Sequence, residues 1–155
     1  GDSVDAGSSK ETSCRSSCRE GNRPQPLEVA ALLKLAATNV LFPVVYQKSV
    51  DFADQICLRS ENFARGYGFL ADQLNRASSS ISANIAEGNG RFTKPDRKNF
   101  FGIARGSVHE CVPLLELARR RGLLTADDHE ALKSQLEEIA RMLSGLINGI
   151  DNRED

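Results

Sequence analysis

The last third of the chain carries its most restrictive feature. Leu132, Leu136, Ile139, Leu143, Leu146 and Ile150 recur at intervals of 4, 3, 4, 3 and 4 residues. Those intervals put all six side chains on one face of an α-helix, whereas a strand would scatter them over both faces. A helix with one apolar stripe must bury it against another element, so this segment requires packing partners. Its start is also marked. Thr125 suits the N-cap, and Asp127 and Asp128 place negative charge at the positive end of the helix dipole.

Three further stretches supply matching stripes. Phe101, Ala104, Val108, Cys111, Leu115 and Ala118 follow at 3, 4, 3, 4 and 3, a heptad seam. That helix starts at Pro95, with Thr93 or Lys94 before it, and stops at Gly122. Pro113 lies inside it and predicts a kink, at a cost of about 3 kcal/mol. Over 68–88, Leu70, Leu74, Ala77, Ile81 and Ile85 recur at 4, 3, 4 and 4, with Gly88 and Gly90 as the expected stop. The run Ser78-Ser79-Ser80 is poor in helix propensity, but small residues allow helices to approach closely. Over 44–64, Val45, Phe52, Ile56 and Phe63 share a face at 7, 4 and 7, and Gly66 and Gly68 then break the chain.

The expected connections, near 65–67, 89–94 and 122–125, are too short for crossovers, so each helix must run antiparallel to the last. The reading is all-α: an antiparallel up-down-up-down four-helix bundle over 44–150. Residues 1–26 are polar, have no hydrophobic period and read as a disordered head. Residues 27–43 are rich in Leu and Ala and end at Pro43; they read as an accessory helix or linker, loosely attached. Residues 151–155 form a tail.

No apolar stretch reaches the roughly 20 residues of a membrane span, and no export signal is evident, so the expectation is cytoplasmic. Apolar residues beyond what one seam per helix would bury, such as Leu70, Phe100, Ile103, Leu114 and Met142, predict a homo-oligomer.

The usual signatures of catalysis are missing. Gly88-Asn89-Gly90 has neither the lysine nor the spacing of a phosphate loop, and no Gly-x-Ser-x-Gly elbow occurs. His109-Glu110 and His129-Glu130 are adjacent pairs, which point about 100° apart on a helix and cannot share a ligand. Cys14 and Cys18 have no second pair for zinc, while Cys57 and Cys111 read as small core residues. The expectation is therefore a protein with no catalytic residues, no metal and no cofactor.

Charge is more informative. The chain is nearly neutral, at −1, yet Arg91, Lys94, Arg97, Lys98 and Arg105 face only Asp96 across 91–105, with Phe92 interleaved. Arg91, Lys94, Arg97 and Lys98 are the candidate nucleic-acid contacts. A second basic cluster, Arg119, Arg120 and Arg121, falls at the opposite end of an antiparallel bundle, near Arg65 and Arg76. Dipole capping explains that cluster equally well. The fourth helix is acidic, with Asp127, Asp128, Glu130, Glu137 and Glu138, and should repel a polyanion from its side.

Three stretches carry a resemblance. They are Tyr46-Gln47-Lys48-Ser49, the run from Gln73 through Asn84-Ile85-Ala86-Glu87-Gly88, and Phe101-Gly102-Ile103-Ala104-Arg105-Gly106-Ser107 with Glu110. Over about 44–150 the chain resembles the four-helix-bundle proteins encoded in intervening sequences of bacterial 23S ribosomal RNA genes. It is also similar to the accessory variability determinant proteins of diversity-generating retroelements. The resemblance implies a bundle assembled into a ring, a homopentamer in relatives. In the retroelement branch the ring binds reverse transcriptase and nucleic acid. Retroelement members are strongly basic and this chain is not; Pro113 replaces a helix-compatible residue, and the first 43 residues fall outside the resemblance. Among the motif residues Asn84, Glu87, Gly88 and Arg105, a Glu87–Arg105 pair or an Asn84–backbone contact is expected to fix helix register.

Overall fold

Each stripe becomes one wall of a bundle in the structure, a computed structural model that describes residues 41–152. Among the described residues there are four helices, α1 (Leu41–Ser60), α2 (Gly68–Asn89), α3 (Lys94–Arg120) and α4 (Ala126–Asp151), and no strands. Consecutive helices pack side by side and α4 returns to α1, which closes the up-down-up-down square. The two residue ranges at the N-terminal end, 1–26 and most of 27–43, lie outside the described residues.

The core is built mainly from the stripe residues, joined by Phe42 and Leu124. All six α4 seam residues, all six of α3 and all five of α2 are buried. Thr125 caps α4 by accepting the Asp128 N–H at 3.1 Å, and Thr93 caps α3 by accepting the Asp96 N–H at 3.3 Å. At the other end of α3, the Leu123 N–H reaches the Ala118 carbonyl at 2.9 Å and the Gly122 N–H reaches Arg119 at 3.0 Å. This is a Schellman closure, and it needs the positive φ of +72° that Gly122 adopts.

Helices bury polar groups where they satisfy them internally. Ser49 and Ser78 are fully buried, and each donates to a carbonyl one turn back, Tyr46 at 2.7 Å and Asn75 at 3.2 Å. Between α1 and α4 a reciprocal amide pair forms: Gln55 donates to Gln135 at 2.9 Å and Gln135 donates back at 3.1 Å.

Several expectations need correction. Helix α1 already includes Leu41 and Phe42, and Pro43 sits in its first turn, where the missing N–H would have had no intrahelical acceptor. It ends at Ser60, not at 64, so Phe63 lies in the connection after it, although it still packs on the core. Gly88 is not a stop: α2 runs through it to Asn89, and Gly90 keeps a right-handed φ of −81°. The real role of Gly88 is close packing, since a Cβ there would lie 2.8 and 2.9 Å from the ring of Phe101. Leu70 is fully buried and is no part of an outer apolar face. Cys57 is exposed, whereas Cys111 is in the core. Helix α3 is continuous through Pro113, which lies with His109 on the exposed face. The carbonyl freed there can be hydrated, which explains why the proline is tolerated.

Candidate nucleic-acid interface

The antiparallel topology brings four chain positions to one end of the bundle: the start of α1, the end of α2, the start of α3 and the end of α4. Arg91, Lys94, Arg97 and Lys98 all lie there. The grouping expected from sequence is therefore a grouping in space, but two further carboxylates join it, Glu87 from the end of α2 and Asp151 from the distant end of α4. Arg91 pairs with Glu87 one turn earlier and lays its guanidinium 4.5 Å from the centre of the Phe100 ring. Lys98 donates to both carboxylate oxygens of Asp151 at 2.7 Å. Asp96 accepts from the Thr93 hydroxyl at 2.7 Å. Arg97 makes no ion pair among the described residues, and its Nε is enclosed without an acceptor. Counting Glu87, Asp96 and Asp151 against the four cations leaves one net positive charge here among the described residues. The pairs are largely exposed, and such pairs contribute only about 0–1 kcal/mol, so a phosphate can compete for the cations.

The turn between α2 and α3 also carries Phe92, which has no packing at all: its exposure is 102% of the reference value. Beside it lies a shallow cleft of about 380 Å³ lined by Ala83, Ala86, Glu87, Gly90, Arg91 and Phe92.

The second basic cluster is differently built. Arg119 and Arg120 both grip Glu116, at 2.8 Å each, and His129 Nε2 approaches the same carboxylate at 3.3 Å. Hydrogen bonds from Arg119 and then Arg120 hold the Glu116 carboxyl down at about 2. Arg121 is the C-cap residue of α3. These cations serve the helix end and its acidic neighbour. Arg76 does not join them, since it pairs with Glu110 at 2.7 Å.

The family-motif residues are arranged otherwise than expected. Glu87 and Arg105 do not meet: Arg105 reaches Ser144 of α4 at 3.3 Å. Asn84 does contact backbone, donating to the Ser80 carbonyl at 2.8 Å and to the Ser80 hydroxyl at 3.0 Å. The link across helices is a hydroxyl pair, Ser80 with Ser107 at 3.0 Å. Sequence reasoning missed both serines as a pair. The available signal was a hydroxyl beside the seam on each of two consecutive helices.

For chemistry the inventory is thin. Among the described residues no group of three or more His, Cys, Asp and Glu could hold a metal. Burial, reinforced by Glu110, pushes the Cys111 thiol up to about 12, so it is a poor nucleophile. None of the described helices is long and apolar enough to cross a membrane.

Comparison with known proteins agrees with the fold. The family profile described as 23S rRNA-intervening sequence protein matches residues 43–145. A crystal structure of a protein with unknown function from the S23 ribosomal protein family of Bacteroides thetaiotaomicron is 27% identical, with a TM-score of 0.66 over 70% of this chain and 99% of that one. No curated protein matches the chain. The profile match runs from the first turn of α1 well into α4, and the chain belongs to the family of 23S rRNA-intervening sequence proteins.

Proposed function

We propose that this bundle is a non-catalytic accessory protein that assembles with copies of itself and engages nucleic acid. The contact is the end of the bundle bearing Arg91, Lys94, Arg97 and Lys98. One observation carries the reading: a chain of net charge −1 gathers four cations around a single turn, and the ion pairs of two of them, Arg91 and Lys98, are with exposed carboxylates. Phosphates recognised this way are bound without regard to base sequence, and the affinity falls steeply with salt. Assembly into a ring, a pentamer on the family resemblance, repeats the weak contact and adds avidity. Exposed Leu58, Phe69, Ile103 and Val112 offer apolar area for copies of the chain or for a protein partner such as a reverse transcriptase.

A second reading, a protein-only structural or regulatory oligomer, is favoured by the Glu87–Arg91 and Asp151–Lys98 pairs, which reduce the field that a polyanion meets. A titration with RNA and DNA at low and moderate salt separates the two. Wild type is expected to bind weakly and to lose affinity with salt, and a variant with all four cations changed to Gln is expected to lose binding. Equal binding by that variant removes the patch from the reading. Absence of binding at low salt leaves the protein-only oligomer. Light scattering tests assembly: a clean monomer of 16.9 kDa at micromolar concentration rejects it.

A further inference from the structure

The geometry points to a stacking site for an unpaired nucleobase on Phe92, so that the nucleic acid engaged at this end is single-stranded. The inference rests on the cationic reading above and adds the form of the ligand.

Phe92 is the starting point. A phenylalanine that loses no surface on folding contributes nothing to the core, and its whole ring stays in water. It is not on a free end but in the turn between two helices, held between the Gly90 N–H bonds to the end of α2 and the Thr93 cap of α3. The adjoining cleft is flat and open rather than deep. Its lining includes Ala83, Ala86 and Gly90, residues too small to obstruct a planar group, and Phe92 as the aromatic member. At about 380 Å³ it holds a base with room for solvent.

The rim matches what a base and its backbone present. The Arg91 guanidinium donates and the Glu87 carboxylate accepts, so carbonyls and exocyclic amines both find partners, without a fixed choice among bases. Lys94 and Arg97 lie two and five residues beyond Phe92, on the first turns of α3, where the phosphates next to a stacked base would run. An aromatic platform beside a row of cations is the arrangement by which single strands are bound without sequence preference. A duplex cannot use it, because its bases are stacked on one another and its paired edges are turned inward.

Phe92 is outside the core, so its replacement leaves the fold intact and the test clean. The chain has no tryptophan, and Phe92→Trp therefore installs a single emitter at the site. The expected results are quenching of this emission by a homopolymeric single-stranded oligonucleotide and an approximately tenfold weaker affinity for Phe92→Ala, with an unchanged salt slope. Duplex of equal length should be indifferent to Phe92→Ala, and a free mononucleotide should leave the spectrum unchanged at submillimolar concentration. The inference is overturned, with the cationic reading left standing, if Phe92→Ala binds single strands as wild type does or if emission is unmoved at saturation. Equal affinity for a free mononucleotide overturns the assignment to a strand. Emission that is already blue-shifted in the protein alone, and that shifts red when residues 1–40 are deleted, shows the ring covered by the chain's own apolar segment and also overturns it. If wild type binds no single strand at low salt, the inference and the cationic reading fall together.

Discussion

Replacing Gly88 by Ala tests the closest approach in the bundle. In an ordinary helix interior this change is favourable by about 0.5–1 kcal/mol, because alanine loses less backbone freedom on folding. At Gly88 the added methyl would sit 2.8 Å from Cε1 and 2.9 Å from Cδ1 of Phe101, and 3.1 Å from the Cβ of Phe100. Ordinary contact needs about half an ångström more. Phe101 is 1% exposed and cannot swing aside, so α2 and α3 must separate locally or the ring must leave its rotamer. Overpacking of this kind costs about 1–3 kcal/mol, so against the propensity gain the net loss is up to about 2.5 kcal/mol and centres a little above about 1 kcal/mol. For a domain of this size that lowers the melting temperature by roughly 3–8 °C. Thermal and urea unfolding followed by circular dichroism measure it, with Gly106→Ala as the control, since a Cβ at Gly106 meets nothing within 4 Å and should stabilise. A second arm combines Gly88→Ala with Phe101→Leu, and the double variant should lose less than the two single losses added together. A Gly88→Ala protein that melts higher than wild type, as the control should, refutes the close-packing argument.

Other outcomes follow from the same contacts. Leu136→Ala, at the centre of the α4 seam and fully buried, should cost about 2–5 kcal/mol in urea unfolding; an unchanged midpoint would show the seam misplaced. Glu116 is held at about 2 when folded, below its ordinary 4.5, so its pairing stabilises the protein above pH 4.5 and is lost as pH falls from there toward 2. The melting temperatures of wild type and Glu116→Gln should therefore differ at neutral pH and converge across that window. In a variant with Cys14 and Cys18 changed to Ser, a thiol reagent at neutral pH should label Cys57 quickly and Cys111 only on unfolding. Deleting residues 1–26 should leave the helical signal per molecule and the cooperative melt intact; a broadened melt would show that the segment contributes to the fold.

The bundle was readable because its information is periodic. The intervals along α4 place six side chains on one face without reference to any other helix, and all six are buried. What sequence misplaced depends on the neighbour. Gly88 carries the same local signal whether it ends a helix or admits a ring, and only Phe101 on α3 decides between them. The charge cluster was legible as a count of cations within fifteen residues. Its strength was not, because Asp151, 53 positions from Lys98, arrives only through the return of α4 to the same end. The Glu87–Arg105 pairing failed for a similar reason: each residue found a partner the linear reading had not considered, Arg91 in one case and Ser144 in the other.

The seam between α1 and α4 has a dynamic consequence. It is the least extensive of the four helix contacts, and a reciprocal Gln55–Gln135 amide pair spans it across 80 positions of sequence. The α2–α3 hairpin, joined by a tight turn and the most extensive packing, should form the slowest-exchanging unit of the backbone amides. Helix α1 joins that hairpin through the connection 61–67, which includes Gly66 at a φ of +98°, and its amides should exchange faster than those of the hairpin. If α1 opens before the rest of the bundle, the α4 seam is left for a second copy of the chain to cover, and helix exchange at high concentration is the expected hazard.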